Sequence, residues 1–405
     1  MQKLELLSPA GNLQKAKTAF HFGADAVYCA GKNFGLRSGA GNLDLEELKT
    51  LFTKSRAAGK KTYVTLNIYA KNKDFDALPE YATFLESAGA NGVIVSDLGV
   101  LSQIKKHAPK LDIHISTQAN TINKYTAKFY ADLGVKRVVV ARELSLEEIS
   151  EIKQHVGDSL ELEAFCHGAM CVSYSGRCLV SNYITGKDAN RGECVQPCRW
   201  EWQPVRNTGL SSPIVVEEDA RGTYLFNSVD LKMVSHLNQM VKAGITSFKI
   251  EGRMKSEFYV GATAKAYRTA LDMLPNMPPE WVEQELKKVS HRTYGTGFFF
   301  AGAKTEDTTS AKYTQNSQFL AQVVEYDKEN GELVVEQRNR FAVGDTVEVL
   351  SANPKWHNKQ FTINKMSNLA GDDVVDARLV QQQLRIKTDM ELQALDILRT
   401  VGVSG

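Results

Sequence analysis

The chain has 405 residues, 43% of them hydrophobic, enough for one large globular domain and a smaller one. Its 49 basic and 47 acidic residues nearly cancel, which excludes a nucleic-acid coating protein but not a selective contact with RNA. The opening MQKLELLSPAGN lacks an apolar secretory core and no run reaches the length of a membrane span, so the expected compartment is cytoplasmic, with no membrane partner.

Short apolar runs alternate with amphipathic stretches over the first three quarters of the chain. The runs are Leu4–Leu7, Ala26–Cys29, Thr62–Leu66, Val93–Val95, Ile113–Ile115, Val138–Ala141, Leu160–Phe165 and Ser247–Ile250. Helical periodicity marks Leu43–Ala58, Phe75–Ala88, Tyr125–Leu133, Leu146–His155 and Leu231–Ala243. Asp44 before Glu47 and Ser145 before Glu148 read as helix N-termini. Eight such runs, with no G-x-G-x-x-G after the first, predict a (β/α)8 barrel over a doubly wound open sheet. The barrel is expected to span residues 1–304, with an inserted segment at about 166–223 that includes a loop or hairpin at Glu201–Thr223. Two further helices are expected at Val260–Met273 and Pro279–Ser290. Residues 305–317 read as a linker. From 318 to 405 the period becomes two, with Asn-Gly and Asp-rich turns, which predicts a small all-β barrel domain. That domain carries 10 basic and 13 acidic residues, so RNA contact through it requires its charges to segregate by face; packing or dimerisation is the alternative.

In a barrel of this kind the site lies where the strands end. The residues past the runs are polar: Ser8, Asn67, Ser96, Thr117, Gln118, Arg142, Glu143, His167, Glu251 and Arg253. Alternation puts Lys249, Glu251 and Arg253 on one side of the last strand. Cations on these strand ends suit a ligand with carboxylates. A rim salt bridge is the bland alternative for each of them. His167 is a candidate acid/base, although a lone histidine is more often structural.

The densest chemistry is Cys171 to Cys198, which holds four of six cysteines in the pattern C-x6-C, x15, C-x3-C. A reduced compartment argues against disulfides. Zinc favours C-x2-4-C knuckles, which only Cys194 and Cys198 supply. An iron–sulfur cluster on four thiolates tolerates looser spacing. On residues alone cluster and zinc both stay open, the spacing leaning to the cluster. Arg177, Lys187 and Arg191 among them would favour thiolates. Cys29 and Cys166 stand without partners at ligand spacing and read as buried small hydrophobes.

The run from Glu163 through Phe165, Gly168, Cys171, Gly176 and Cys178 to Ser181 resembles the signature of the collagenase-like peptidase family (U-thirty-two). LLSPAGN, STQAN at Ser116–Asn120, ARELSLEEI at Ala141–Ile149, CRWEW at Cys198–Trp202 and SFKIEGRMKS at Ser247–Ser256 extend the resemblance. Within the family the chain is similar to the branch that hydroxylates tRNA uridine with prephenate. The resemblance implies a [4Fe-4S] cluster on Cys171, Cys178, Cys194 and Cys198, with prephenate as co-substrate and tRNA as partner. It implies hydroxylation of the wobble uridine to 5-hydroxyuridine. On that reading His167, Glu251 and Arg253 are the catalytic candidates. Arg142, Glu143, Lys249, Asn67 and Gln118 are the substrate-binding ones. A related subunit or a second copy of the chain is a further candidate partner. Two alternatives stand beside it: a hydroxylase of ribosomal RNA, and the peptidase that the family name implies. The sequence contains neither H-E-x-x-H nor G-x-S-x-G, and the candidate thiol nucleophiles are better explained as a ligand set.

Overall fold

The computed structural model describes residues 4–32, 34–35, 41–200, 218–219, 222–223, 228–302 and 313–402. Most of the excursion expected at Glu201–Thr223 and most of the expected linker lie outside these residues.

Eight parallel strands close into a barrel. They are β1 (Glu5–Pro9), β2 (Ala26–Cys29), β3 (Lys61–Leu66), β4 (Gly92–Val95), β5 (Asp112–Ile115), β6 (Arg137–Val139), β7 (Glu161–Ala169) and β9 (Ile245–Ile250). β9 pairs with β1 on one side and β7 on the other, which shuts the ring. The strands are buried on both faces, as a sheet covered by helices must be. Outside pack α1 (Leu13–His21), α2 (Leu45–Ala57), α3 (Leu78–Ala88), α4 (Leu98–His107), α5 (Lys124–Asp132), α6 (Leu146–Val156), α8 (Leu237–Lys242) and α9 (Glu257–Asp272). Their starts are written in the sequence. Asn12, Asp97, Asn123 and Ser256 cap backbone N–H groups, and Asp44–Glu47 and Ser145–Glu148 close reciprocal capping boxes.

Two sequence expectations need correction. The stretch Leu231–Ala243 is not one helix. Asp230–Lys232 forms β8, antiparallel to the end of β7, and only Leu237–Lys242 is α-helical. Pairing with Gly168 and His167 overrides the local helical period. For the same reason β7 runs past Phe165 to Ala169, so the insertion leaves after the strand rather than at 166.

Inside the barrel the N-terminal end is polar. Arg137 pairs with Glu5, Glu161 and Glu163, and Tyr63 donates to Glu5 at 2.9 Å. Ser247 bridges Glu5 and Glu163. Burial raises the Glu5 carboxyl, but the charge and hydrogen bond of Arg137 outweigh it and hold it low. Above this layer Leu7, Ala26, Tyr28, Tyr63 and Ile94 form a compact apolar cluster. The mouth lies beyond it.

The chain continues through α10 (Glu280–Lys288) into seven antiparallel strands: β10 (Phe319–Asp327), β11 (Glu332–Gln337), β12 (Thr346–Leu350), β13 (Gln360–Thr362), β14 (Met366–Asn368), β15 (Gln383–Lys387) and β16 (Ile397–Thr400). Their order, β13–β12–β16–β10–β11–β15–β14, makes a half-barrel around its own core of Val335, Val349, Ile386 and Leu398. Phe319, Leu350 and Ile397 instead join the core of the large barrel, so the two units share apolar packing. Among the described residues no helix is long and apolar enough to cross a membrane.

Candidate active site

The insertion folds over the C-terminal mouth as a run of single turns plus α7 (Val180–Thr185). Short side chains and local hydrogen bonds hold it together. Asn190 accepts from the Cys178 amide and donates to its carbonyl, at 3.1 and 2.9 Å. Ser181 accepts from the Val195 amide. Three contacts pin the insertion to the barrel. Glu143, past β6, accepts from the amide and hydroxyl of Ser175, which sits at φ +42°. Arg177 donates to the Gln118 carbonyl at 2.8 Å. Arg191 forks onto Asp74 at 2.8 and 3.0 Å.

Under this roof lies a cavity of about 130 Å³. Cys171, Cys178, Cys194 and Cys198 all line it, half-buried and without disulfides. The Val180 amide donates to the Cys178 sulfur at 3.4 Å. Cys29 and Cys166 are elsewhere and buried; burial pushes the Cys29 thiol up to about 12 and the Cys166 thiol well above its usual value. Among the described residues no three His, Cys, Asp or Glu side chains stand grouped as a metal centre. Four half-buried thiols facing one cavity, with a backbone donor on one sulfur, are nevertheless the donor set that a [4Fe-4S] cluster takes.

The same cavity gathers Asn67, Gln118, Arg142, Lys249, Glu251 and Arg253 from four different strand ends. Arg142 lays its guanidinium 4.1 Å over the Phe165 ring, and its Nε is buried without a hydrogen bond. Arg253 is buried and donates to the Thr65 hydroxyl at 3.2 Å. Lys249 is buried, 2.8 Å from Glu163, with its ammonium 4.6 Å over Tyr28. Burial lowers its pKa, opposed by the Glu163 charge. Asn67 Oδ1 and Gln118 Oε1 are buried polar atoms without partners.

His167 and Glu143 do not line this cavity. Glu143 is an anchor of the insertion. His167 stands on the outer face of β7, among Tyr259, Tyr267 and Tyr294. Simple alternation would turn His167 inward with Glu163 and Phe165. A bulge at Cys166 shifts the register against β9, so Lys249 pairs with Phe165 but Ile250 with His167. Burial drives the His167 imidazole down to about 3. It is a neutral ring in a tyrosine cage, outside the lining of the cavity that holds Cys171, Cys178, Cys194 and Cys198.

Sequence reasoning missed Tyr28, Thr65 and Phe165, which carry the cations, and Glu163 as the Lys249 counter-ion. The alternation of Glu163 and Phe165 in β7 was the available signal.

A closed parallel barrel whose mouth collects thiols, amides and cations is the architecture on which barrel enzymes build their active sites. The chain belongs to peptidase family U32: the family's main domain matches residues 11–309 and its C-terminal domain residues 315–399. It is 37% identical to tRNA hydroxylation protein P1 of Bacillus subtilis (strain 168), over 98% of this chain and 95% of that one. It is 35% identical to tRNA hydroxylation protein P of Escherichia coli (strain K12), over 92% and 91%. The 23S rRNA 5-hydroxycytidine C2501 synthase of the same bacterium is 37% identical over 67% of this chain and 40% of its own length.

Proposed function

We propose that this protein is an RNA-modifying hydroxylase that converts the wobble uridine of tRNA to 5-hydroxyuridine, with prephenate as co-substrate. The observation that carries the reading is the convergence of four thiols and three cations on one cavity at the barrel mouth. The relatives named for tRNA and rRNA hydroxylation supply the reaction class. On this reading Cys171, Cys178, Cys194 and Cys198 hold a [4Fe-4S] cluster, which when bound supplies redox chemistry to a pyrimidine carbon that simple hydrolysis cannot attack.

The chain's own residues do the rest. Prephenate brings two carboxylates, which are costly to bury without cationic partners. Arg142, flat on Phe165 with an unused Nε, and Arg253, fixed at Thr65, are placed to fork onto them. Lys249 is already engaged and neutralised by Glu163, so it shapes the cavity wall rather than meeting the carboxylates. Asn67 and Gln118 offer amide groups to either substrate. Glu251 is the carboxylate left at the lining as acid/base candidate.

Proteolysis has less support. A thiol protease needs a histidine against its cysteine, and none lines the cavity among the described residues. The deciding experiment is nucleoside analysis of RNA from cells lacking the gene. Loss of 5-hydroxyuridine from tRNA, restored by the wild-type chain but not by Cys171→Ala, is expected. Unchanged tRNA nucleosides with a lost 5-hydroxycytidine in rRNA would move the substrate to rRNA; no change in either would remove the reading. Anaerobically purified protein should carry about four irons per chain, and stoichiometric zinc without iron would overturn the cluster.

A further inference from the structure

The insertion has two faces, and only the inner one is used by the cavity. On α7, Val180 lines the cavity and Ser181 is fully buried. Leu179 and Tyr183, four apart and so on one side, are turned out, 75% and 90% exposed. Tyr174, 49% exposed, follows the first cysteine, and Trp200, 42% exposed, follows the last. Single exposed apolar side chains are ordinary, but five within residues 171–200, with Ile184 the fifth at 38%, call for a partner. The lobe is held fast by the Arg191–Asp74 fork and the Glu143–Ser175 contacts, so its side chains are offered without ordering a loop.

Charge says which partner. In a chain that is nearly neutral, residues 171–200 contain Arg177, Lys187, Arg191 and Arg199 against Asp188 and Glu193; with Arg191 taken up by Asp74, Arg177 and Lys187 remain as exposed cations of the lobe. Arg177 also lays its guanidinium 5.6 Å over the Tyr69 ring, a second flat cationic surface beside the lobe. Exposed rings with a cationic excess suit a polyanion with free π-faces, and in RNA those faces are free only where bases are unpaired. We propose that the outer face of the insertion is a stacking platform for an unpaired RNA loop, with Tyr183 as its principal ring. The proposal rests on the RNA reading above and names how that substrate is held.

The test is equilibrium binding of the full-length, anaerobically purified protein to a fluorescein-labelled RNA hairpin and to a blunt duplex with the same stem. Wild type should prefer the hairpin. Tyr183→Ala should weaken hairpin binding by roughly 5- to 150-fold, the range for one lost stacked base, and leave duplex binding unchanged. Tyr183→Phe should retain affinity because it keeps the ring. Lys187→Gln should reduce the salt slope for the hairpin by about one. Equal hairpin affinity in Tyr183→Ala, or no hairpin preference in wild type, overturns the platform. So does a Tyr183→Ala protein with unchanged RNA binding and a lower mass by light scattering, which assigns the face to a second copy. Nucleoside analysis is read separately: wild type that prefers the hairpin but changes no nucleoside keeps the platform and removes the hydroxylase reading.

Discussion

Lys249, next to last in β9, and Arg253, four residues on and just past the strand, do different work. Lys249 is neutralised by Glu163, whereas Arg253 meets the hydroxyl of Thr65. A charge-assisted fork onto a carboxylate is worth about 1.5–3 kcal/mol, roughly ten- to hundred-fold in affinity. On the proposed function, Arg253→Ala should therefore suppress hydroxylation at ordinary prephenate levels without changing the visible absorption expected of the cluster. Arg253→Lys should rescue in part, because an ammonium cannot fork. Normal turnover by Arg253→Ala across a prephenate titration would shift the binding role to Arg142. Glu163 tests the interior instead. It faces both Lys249 and Arg137 with its side chain fully buried. Glu163→Gln should leave Lys249 without its counter-ion, while Arg137 keeps Glu5 and Glu161, and cost about 3–5 kcal/mol, seen as a lower unfolding midpoint. At this scale the sequence gathers four cysteines in one segment, and all four line one cavity. His167 was misplaced because a bulge is set by pairing with a distant strand, which local alternation cannot report.

Helices were the most legible elements, since their caps are local chemistry: Asp44 with Glu47 and Ser145 with Glu148 are written within four residues. β8 was not legible, because its three residues become a strand only against β7. The insertion is likewise a product of long-range anchors, and the one through Glu143 holds a strained turn. It holds Ser175 at φ +42°, a conformation a residue with a side chain rarely adopts. Glu143→Ala should release that turn, which lies between Cys171 and Cys178. If the four cysteines hold the proposed cluster, the expected outcome is faster bleaching of its visible absorption in air than in wild type, with the far-ultraviolet spectrum unchanged. Identical bleaching rates would show that Ser175 keeps its place without the carboxylate.

For the whole molecule, the acidic balance of the C-terminal strands has a structural use. Arg399 of β16 is fully buried and forks onto Glu285 of α10, with one contact at 2.9 Å, while its Nε meets Glu348 at 2.8 Å. Lys288 reaches the same Glu348 at 2.6 Å, and Asp396 meets His21 of α1 at 2.8 Å. The sequence showed the charges but not that they close an interface. Cutting the chain near Gln318 would strand Glu285 in an opened core, so the truncated barrel should be poorly soluble or unfold at a markedly lower temperature. RNA binding by that truncation is then no measure of the C-terminal strands, and point variants on their exposed face are the informative ones.

The interior also sets how the molecule responds to acid. Burial holds His114 well below its usual range, His357 down to about 4 and His167 down to about 3, against 6.5 for a free imidazole. As pH falls through 6.5 the unfolded chain takes up these protons while the folded chain does not. Each histidine then removes about 1.4 kcal/mol of stability per pH unit. For His357 the loss ends near 4, and for His167 near 3. Glu5 and Glu285, held below the free carboxylate value by Arg137 and Arg399 despite burial, add their loss below about 4.5. The unfolding midpoint should thus be level from about 7 to about 8, below the range where the buried Cys29 and Cys166 thiols matter, and fall steadily from 6.5 downward, before the carboxylates contribute. His357→Phe should flatten that slope by up to one proton's worth while costing some packing against Trp281. A midpoint that stays constant from neutrality to about 5 would mean that these rings accept protons in the folded barrel, through local opening that the packed interior does not suggest.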